Sequence, residues 1–174
     1  MVVYTDASWT EQMCRMGAVV FVHGRPTRAG WCDLPRPWLQ QLRPRGTQIS
    51  PAETLGPSVA LASWPDVLAG QDTIFFCDNL GAVYSLISGV ATASDLQAIV
   101  AASHAALANA SVRWWLEWVP SDSNCSDGLS RDGARDEWCA NHGLSPEKLR
   151  QPHWLTDITE DLSVLLPIIA NRGL

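Results

Sequence analysis

The order of β-rich and helical segments constrains the fold of this chain most. Three β-rich runs, Val2–Ser8, Met16–Val22 and Ala29–Leu34, lie within the first 34 residues, and the turn-forming sequence His23-Gly24-Arg25-Pro26 separates the last two. Short connections of this kind join antiparallel neighbours. The first third of the chain is therefore predicted to form a three-stranded antiparallel meander.

The remainder of the chain alternates strands with helices. Thr73–Cys77 and Val112–Val119 have the composition of buried strands, and helices are predicted over Leu80–Ser88 and Ser94–Asn109. Strands that are joined through helices pair in parallel. The sequence thus predicts an α/β fold: a mixed five-stranded sheet, three antiparallel strands followed by two parallel ones, flanked by helices.

The connection after the meander is less regular. Pro35–Gln48 contains three prolines and no clear periodicity, which predicts a loop. Ser50-Pro51-Ala52-Glu53 has the pattern of a helix start, with Ser50 as N-cap, and predicts a helix to about Ser63, in which Pro57 would either cause a kink or shift the start of the helix.

Two helices are predicted in the last third of the chain. Asp127 is expected to open the first of them, and Leu155–Ile169, capped by Thr156, is expected to form the last.

Composition limits the class of protein. A chain of 174 residues with 47% hydrophobic residues suits one domain. Its five cysteines include no Cys-x-x-Cys pair, which indicates reduced thiols and an intracellular location, cytoplasmic or nuclear. The apolar run Leu162–Ala170 is shorter than the roughly 20 residues that span a bilayer, so no membrane association is expected.

Charge is unevenly distributed along the chain, whose net charge is −6. The first 50 residues contain six arginines and three acids, whereas residues 51–130 contain one arginine and eight acids. This split predicts a basic rim beside an acidic centre, and acidic centres commonly hold divalent cations. A soluble surface of mixed charge is the alternative interpretation.

Four carboxylates stand at the predicted ends or starts of these elements. Asp6 lies late in the first strand, Asp78 follows the fourth strand, Glu53 belongs to a helix and Asp127 opens another. If the first and fourth strands are parallel neighbours, Asp6 and Asp78 lie side by side. Converging carboxylates repel one another unless cations neutralise them, and their hard oxygens favour two Mg²⁺ ions, with Mn²⁺ as a substitute. Taken singly, each acid could instead be a turn or capping residue.

In combination, four short motifs carry these acids in a recognisable order. The segments are Tyr4-Thr5-Asp6-Ala7-Ser8, Ile49-Ser50-Pro51-Ala52-Glu53, Phe76-Cys77-Asp78-Asn79 and Asn124-Cys125-Ser126-Asp127-Gly128-Leu129-Ser130-Arg131. In this order they resemble the four motifs of ribonuclease H domains. The last motif resembles the ending of these domains in retrotransposon reverse transcriptases. The Asp78-Asn79 pair and Trp138 are most similar to the same positions in retrotransposons that carry a tyrosine recombinase.

The resemblance implies endonucleolytic hydrolysis of the RNA strand of an RNA–DNA hybrid, leaving a 3′-hydroxyl and a 5′-phosphate. It implies that Asp6 and Asp78 hold both metal ions, that Glu53 holds the ion near the leaving group and contacts a 2′-hydroxyl, and that Asp127 holds the ion on the nucleophile side. Flanking polymerase or recombinase domains are further implied partners. Residues 1–140 would be the catalytic domain and 141–174 a helical extension packed on the same domain.

Further residues are candidates for contact with substrate. Three of them, Ser8, Asn79 and Asn124, belong to the motifs, and Trp9 follows the first motif. Arg43 and Arg45 lie in the basic third of the chain and could contact phosphates, with a solvated face as the alternative. Trp9, Trp31 and Trp38 could stack on bases, although core packing is the other interpretation of each.

Three alternatives remain open from the sequence. The fold could serve as an inactive binding or connecting module, or as a DNA-directed nuclease or integrase-like strand transferase. A zinc site built from Cys125, Cys139, His142 and His153 has suitable ligand types but lacks the usual spacing.

The chain also lacks a lysine-rich handle and a histidine in the 120–126 loop, which predicts slow cleavage by the isolated chain.

Overall fold

A computed structural model describes residues 1–156 of the chain. Its sheet contains six strands: β1 (Val2–Trp9), β2 (Cys14–Val22), β3 (Arg25–Asp33), β4 (Asp72–Cys77), β5 (Arg113–Trp118) and β6 (Glu147–Lys148). The spatial order is β5-β4-β1-β2-β3-β6. β1, β2 and β3 pair antiparallel, whereas β4 pairs parallel with both β1 and β5. The predicted mixed sheet of an α/β fold is confirmed.

The sheet has one strand more than predicted. β6 pairs parallel with β3 at Gly30 and Trp31, and the Leu149 N–H donates to the Trp31 carbonyl at 2.9 Å. A strand of two residues is too short for any alternation of polar and apolar side chains, so the sequence pattern does not reveal it.

Nine helices are described within residues 1–156. They are α1 (Arg36–Gln41), α2 (Ile49–Thr54), α3 (Gly56–Ser63), α4 (Pro65–Leu68), α5 (Leu80–Ser88), α6 (Ser94–Asn109), α7 (Asp127–Asp132), α8 (Glu137–Asn141) and α9 (His153–Thr156). The predicted bounds of α5 and α6 are confirmed, and Asp127 opens α7 as expected. None of the described helices has the length and hydrophobicity needed to cross a membrane.

The turn between β2 and β3 follows the sequence signal. His23 and Gly24 have φ angles of 50° and 75°, the left-handed conformation that a two-residue hairpin turn of type I′ requires. Glycine adopts it without steric cost, and the strands continue directly on either side.

Three predictions for residues 35–63 are wrong. The expected loop contains α1, whose Trp38 is buried. The expected single helix is divided into α2 and α3, because Pro57 lies in the first turn of α3, where its missing N–H removes no intrahelical bond. Ser50 lies inside α2 and is not its N-cap, a position taken by Gln48.

The main core lies between one face of the sheet and the helices. Its largest buried side chains include Met16, Phe75, Leu86, Ile99 and Leu116. A smaller core on the opposite face contains Val19, Ala29, Leu129 and Cys139 and attaches α7 and α8 to the sheet. Burial of these apolar surfaces is the principal stabilising contribution to such a fold.

The chain beyond residue 140 joins the same sheet and core. β6 extends the sheet, and Trp154 and Leu155 belong to the main core. Of the predicted helix Leu155–Ile169, only its first two positions are described, and they lie in α9. The rest of that prediction lies outside the described residues.

Candidate active site

Asp6 and Asp78 are brought together by the parallel pairing of β1 with β4. Tyr4 pairs with Phe76, so Asp6 and Asp78, each two residues further along, follow the same register just beyond the paired segment, Asp6 within β1 and Asp78 directly after β4. This edge of a parallel sheet is where functional groups of α/β folds usually collect. The predicted adjacency of the two acids therefore follows from strand pairing.

Glu53 reaches this edge from α2 and is almost completely buried, with 2% of its surface exposed. Its Oε1 accepts a hydrogen bond of 2.8 Å from the Ala7 N–H, and its Oε2 accepts one of 3.4 Å from the Cys77 thiol. α2 and α3 can lie close to the strand because Gly56 has no side chain: a Cβ at Gly56 would lie 2.5 Å from Thr5 Oγ1. The Glu53 carboxylate is thus fixed between β1 and β4.

Asp127 comes from α7, on the opposite face of the sheet. α7 packs against β1 and β2, and its approach depends on Gly17, where a Cβ would lie 2.6 Å from Leu129 Cβ. Asp127 Oδ1 pairs with Arg131 Nη2 at 2.7 Å, one helical turn away. The first residue of α7 is thereby held beside the carboxyl end of β1.

All four acids line a single groove of about 400 Å³, termed here the acidic groove. The remaining lining residues are Ala7, Ser8, Trp9, Ile49, Asn79 and Arg131. The four carboxylates come from β1, α2, the end of β4 and α7, which lie far apart in the sequence. Their convergence places four potential anions around one solvent-accessible space.

The electrostatics of the acidic groove favour a bound cation. Burial and the neighbouring Asp78 and Asp127 carboxylates raise the pKa of Asp6 to about 7, although a hydrogen bond with Ser130 opposes this shift. The pKa of Glu53 is also raised, by burial first and then by Asp6 and Asp78. Without a cation, these carboxylates repel one another.

The donor set of the acidic groove fits a hard divalent cation. Ligand atoms of Glu53, Cys77 and Asp78 lie within 4.8 Å of one another. Two of the four groove acids, Glu53 and Asp78, thus have oxygens close to one another, and carboxylate oxygens are the ligands that Mg²⁺ and Mn²⁺ prefer. The residues present therefore fit the expected metal.

Known structures decide the fold. The ribonuclease H1 of the halophilic archaeon Halobacterium salinarum NRC-1 matches with a TM-score of 0.61 and 20% identity over 76% of this chain and 95% of that chain. The chain has a ribonuclease H fold. The N-terminal ribonuclease H domain of rv2228c from Mycobacterium tuberculosis, solved as a fusion with maltose-binding protein, matches with a TM-score of 0.59 and 19% identity over 80% of this chain and 96% of that one. No protein-family model and no curated protein matches the sequence.

Within this ribonuclease H fold, three of the expected substrate contacts line the acidic groove. Ser8, Trp9 and Asn79 are lining residues. The Ser8 hydroxyl donates to the Ser130 carbonyl, and Asn79 Oδ1 accepts from the Ala82 N–H and so caps α5. Trp9 is partly buried against the main core. Each of these side chains lies beside the carboxylates and also contacts another part of the protein.

Asn124 is placed differently from the sequence-based expectation. Only 4% of its surface is exposed, and its amide is used inside the protein. Nδ2 donates to the Thr5 carbonyl at 3.0 Å, while Oδ1 accepts from the Ser126 N–H and hydroxyl at 3.2 and 2.7 Å. Asn124 therefore connects the residue before Asp6 with the residue before Asp127, and its contact with substrate stays a prediction.

Arg45 also has an internal role. Its Nη2 lies 2.8 Å from Asp95 Oδ1, and its Nη1 donates to Gln48 Oε1 at 2.9 Å. The partner of Arg45 within the described residues is thus the buried Asp95 carboxylate, and phosphate contact by Arg45 stays a prediction. The Arg43 side chain is exposed, and neither arginine lines the acidic groove.

Two other sequence-based alternatives have no counterpart within residues 1–156. Cys125, Cys139, His142 and His153 do not form a cluster of metal ligands there, because Cys139 lies in the smaller core and the His142 ring stacks on Trp138. Trp38 is buried in the main core, and Trp31 lies against the cations of Arg15 and Lys148.

The sequence did not single out four residues that support the acids. Cys77 contacts Glu53, Ser121 Oγ donates to Asp78 Oδ2 at 2.5 Å, and Trp118 Nε1 donates to the Asp78 carbonyl at 3.0 Å. For Arg131, the spacing of four residues from Asp127 on one helix was a usable signal. The contacts of the other three depend on tertiary structure.

Proposed function

We propose that this chain is a nuclease dependent on divalent cations that hydrolyses the RNA strand of RNA–DNA hybrids. The observation that carries the proposal is the convergence of Asp6, Glu53, Asp78 and Asp127 on one groove of a ribonuclease H fold. An arrangement of four carboxylates from four elements has little value for stability, because their mutual repulsion opposes folding. Its chemical use is to hold cations.

The four acids would hold two Mg²⁺ ions, which Mn²⁺ could replace. When bound, such ions activate a water molecule and stabilise the leaving oxygen of a phosphodiester. Glu53 is oriented by the Ala7 N–H and the Cys77 thiol, and Asp78 is held by Ser121 and Trp118. The protein therefore presents its carboxylates in fixed orientations before any substrate arrives.

Selectivity for RNA requires recognition of a 2′-hydroxyl at the cut strand. Ser8 and Asn79 supply polar groups beside the acids, and Trp9 supplies an aromatic surface in the same groove. We assign to these three side chains the contact with the sugar and base next to the cut. Glu53 is the acid best placed in the family pattern to read the hydroxyl.

The wider context is part of the proposal. The segment from Asn124 to Arg131 resembles the ending of ribonuclease H domains in retrotransposon reverse transcriptases, and this supports an origin in a retroelement with polymerase or recombinase domains nearby. Four of the five free cysteines are buried as thiols, which agrees with an intracellular site of action. Residues 1–140 would carry the catalysis and 141–174 would extend the same domain.

A substrate panel tests the proposed function. The chain is incubated with end-labelled RNA–DNA hybrid, RNA duplex, DNA duplex and single strands, each with Mg²⁺ and with a chelator. We expect cleavage of the RNA strand of the hybrid only, only with Mg²⁺, and with 3′-hydroxyl and 5′-phosphate ends.

Other outcomes of the panel separate the alternatives. Equal cleavage of hybrid and DNA duplex would indicate a DNA-directed nuclease. Binding of hybrid without cleavage of any substrate, in Mg²⁺ or Mn²⁺, would indicate an inactive binding module.

A further inference from the structure

Arg131 is the basic side chain that lines the acidic groove within residues 1–156. Its guanidinium pairs with Asp127 at 2.7 Å, yet 65% of the Arg131 side chain is exposed, against 31% of Asp127. An exposed pair of this kind contributes little to stability. The pair can therefore open at small cost when either partner finds a stronger one.

A second space lies on the other side of Arg131. A pocket of about 310 Å³ adjoins the acidic groove, and both cavities are lined by Asp127 and Arg131. Its other lining residues include Ser121, Ser123, Gly128 and Trp138. The Arg131 side chain can consequently move away from Asp127 without entering the core.

The charges of the acidic groove give Arg131 a reason to move. In the absence of a cation, its guanidinium is the positive charge that neutralises Asp127. Two divalent cations would balance the four carboxylates, so the charge of Arg131 would then have no partner in the groove. A guanidinium presents a planar set of donors that matches the oxygens of a phosphate.

We propose that Arg131 exchanges partners: it pairs with Asp127 in the metal-free protein and with a backbone phosphate of the hybrid once a cation occupies Asp127. This inference rests on the proposed function. It makes Arg131 a catalytic-site residue that touches substrate and, before substrate arrives, competes with the metal for Asp127. The ordinary alternative is a helix-surface ion pair without functional consequence.

The exchange predicts opposite effects of one substitution on two ligands. In Arg131→Gln, Mn²⁺ binding measured by calorimetry without nucleic acid should become about two- to fivefold tighter, because a competing ion pair is lost. Hybrid binding, measured by fluorescence anisotropy with Ca²⁺ to prevent cleavage, should become about five- to tenfold weaker. The slope of log affinity against log salt should fall by about one unit.

Matched variants separate this role from general electrostatics. Arg135→Gln removes an exposed arginine four residues further on that does not line the groove, and it should change neither affinity appreciably. Arg131→Lys keeps the charge but loses the planar donors, so hybrid binding should lie between those of the parent and Arg131→Gln.

Unchanged Mn²⁺ affinity in Arg131→Gln, or unchanged hybrid affinity in the presence of the cation, would overturn the exchange. A parent protein that binds hybrid without cutting it contradicts the proposed nuclease function alone, since both binding measurements can still be made. A parent that binds Mn²⁺ but not hybrid contradicts both.

Discussion

Asn124 connects two segments that carry groove acids. Its amide forms three hydrogen bonds, to the Thr5 carbonyl and to the N–H and hydroxyl of Ser126. Thr5 precedes Asp6 and Ser126 precedes Asp127, so one buried side chain fixes the distance between the ends of β1 and α7.

Replacing Asn124 with Ala should lower the free energy of unfolding by about 2–4 kcal/mol, since buried backbone groups lose their partners. Ser126→Ala, which removes only the hydroxyl bond, should cost about 1 kcal/mol. Urea unfolding monitored by tryptophan fluorescence measures both. An Asn124→Ala protein as stable as Ser126→Ala would show that the connection is unimportant.

Asp78 illustrates the conflict between stability and metal binding. In the metal-free protein it raises the pKa of Asp6, so its carboxylate opposes a neighbouring charge. We expect Asp78→Asn to be as stable as the parent or slightly more stable without metal, because this repulsion is removed.

The same variant should lose the stabilisation that Mg²⁺ gives the parent. At a concentration ten times the dissociation constant, that stabilisation is about 1.4 kcal/mol for one site. Urea unfolding with and without Mg²⁺ measures this stabilisation. Asp66→Asn, which changes an exposed carboxylate of α4, is the control and should retain the stabilisation by Mg²⁺. If Mg²⁺ stabilised Asp78→Asn as much as it stabilises the parent, Asp78 would not be a metal ligand.

Among the elements, the 42–48 loop depends on one buried ion pair with α6. Burial by itself raises the pKa of Asp95, but hydrogen bonds from Arg45 and from the Arg43 and Leu96 N–H groups outweigh it and leave the pKa below its usual value. The paired, ionised carboxylate thus holds the loop against the start of α6. Arg45 contributes to this attachment through Asp95 and Gln48.

Asp95→Asn should therefore lower the free energy of unfolding by roughly 2 kcal/mol at pH 7, the usual contribution of hydrogen bonds to a charged group. Because the folded-state pKa is depressed, this contribution is present above the unfolded pKa of about 3.9 and is lost as the pH falls through the folded-state value. The difference in the free energy of unfolding between Asp95→Asn and the parent should therefore become smaller as the pH falls. As a control, Asp72→Asn, in the exposed pair with Arg113, should lower the free energy of unfolding at pH 7 much less than Asp95→Asn does.

Local signals predicted some elements well and others poorly. α5 and α6 begin and end where apolar periodicity and the polar residues around it indicate. The division between α2 and α3 and the presence of α1 were missed, because proline in a first helical turn was interpreted as a break or as a loop signal. β6 is a strand only through its pairing with β3, so no local signal predicts it.

For the whole molecule, the acids were predictable and their supports were not. Asp6, Glu53, Asp78 and Asp127 lie in motifs with a recognisable order; strand pairing brings Asp6 and Asp78 together, and two helices add the other two acids. The internal partners of Asn124 and Arg45 were not predictable, because sequence alone does not distinguish a buried polar residue from an exposed one. The contacts of Cys77 and Ser121 arise between segments that are distant in sequence.

The net charge of the whole chain limits the affinity for nucleic acid that the proposed function can have. With a net charge of −6 and Arg131 as the described cation of the groove, few phosphates can be neutralised. We expect weak hybrid binding whose log affinity falls with log salt by no more than about four units. Anisotropy titrations over a range of salt concentrations measure this slope. A slope near ten would indicate that a further basic surface of the protein binds the hybrid.

The proposed function requires that four carboxylates of one groove hold the cations that cut RNA. Its most direct test is the single-turnover rate of hybrid cleavage at saturating Mg²⁺ for the parent and for Asp6→Asn, Glu53→Gln, Asp78→Asn and Asp127→Asn, with folding checked by circular dichroism. We predict cleavage by the parent and a loss of at least about a hundredfold in each folded variant. Undiminished cleavage by any of the four, Asp78→Asn above all, would contradict the account.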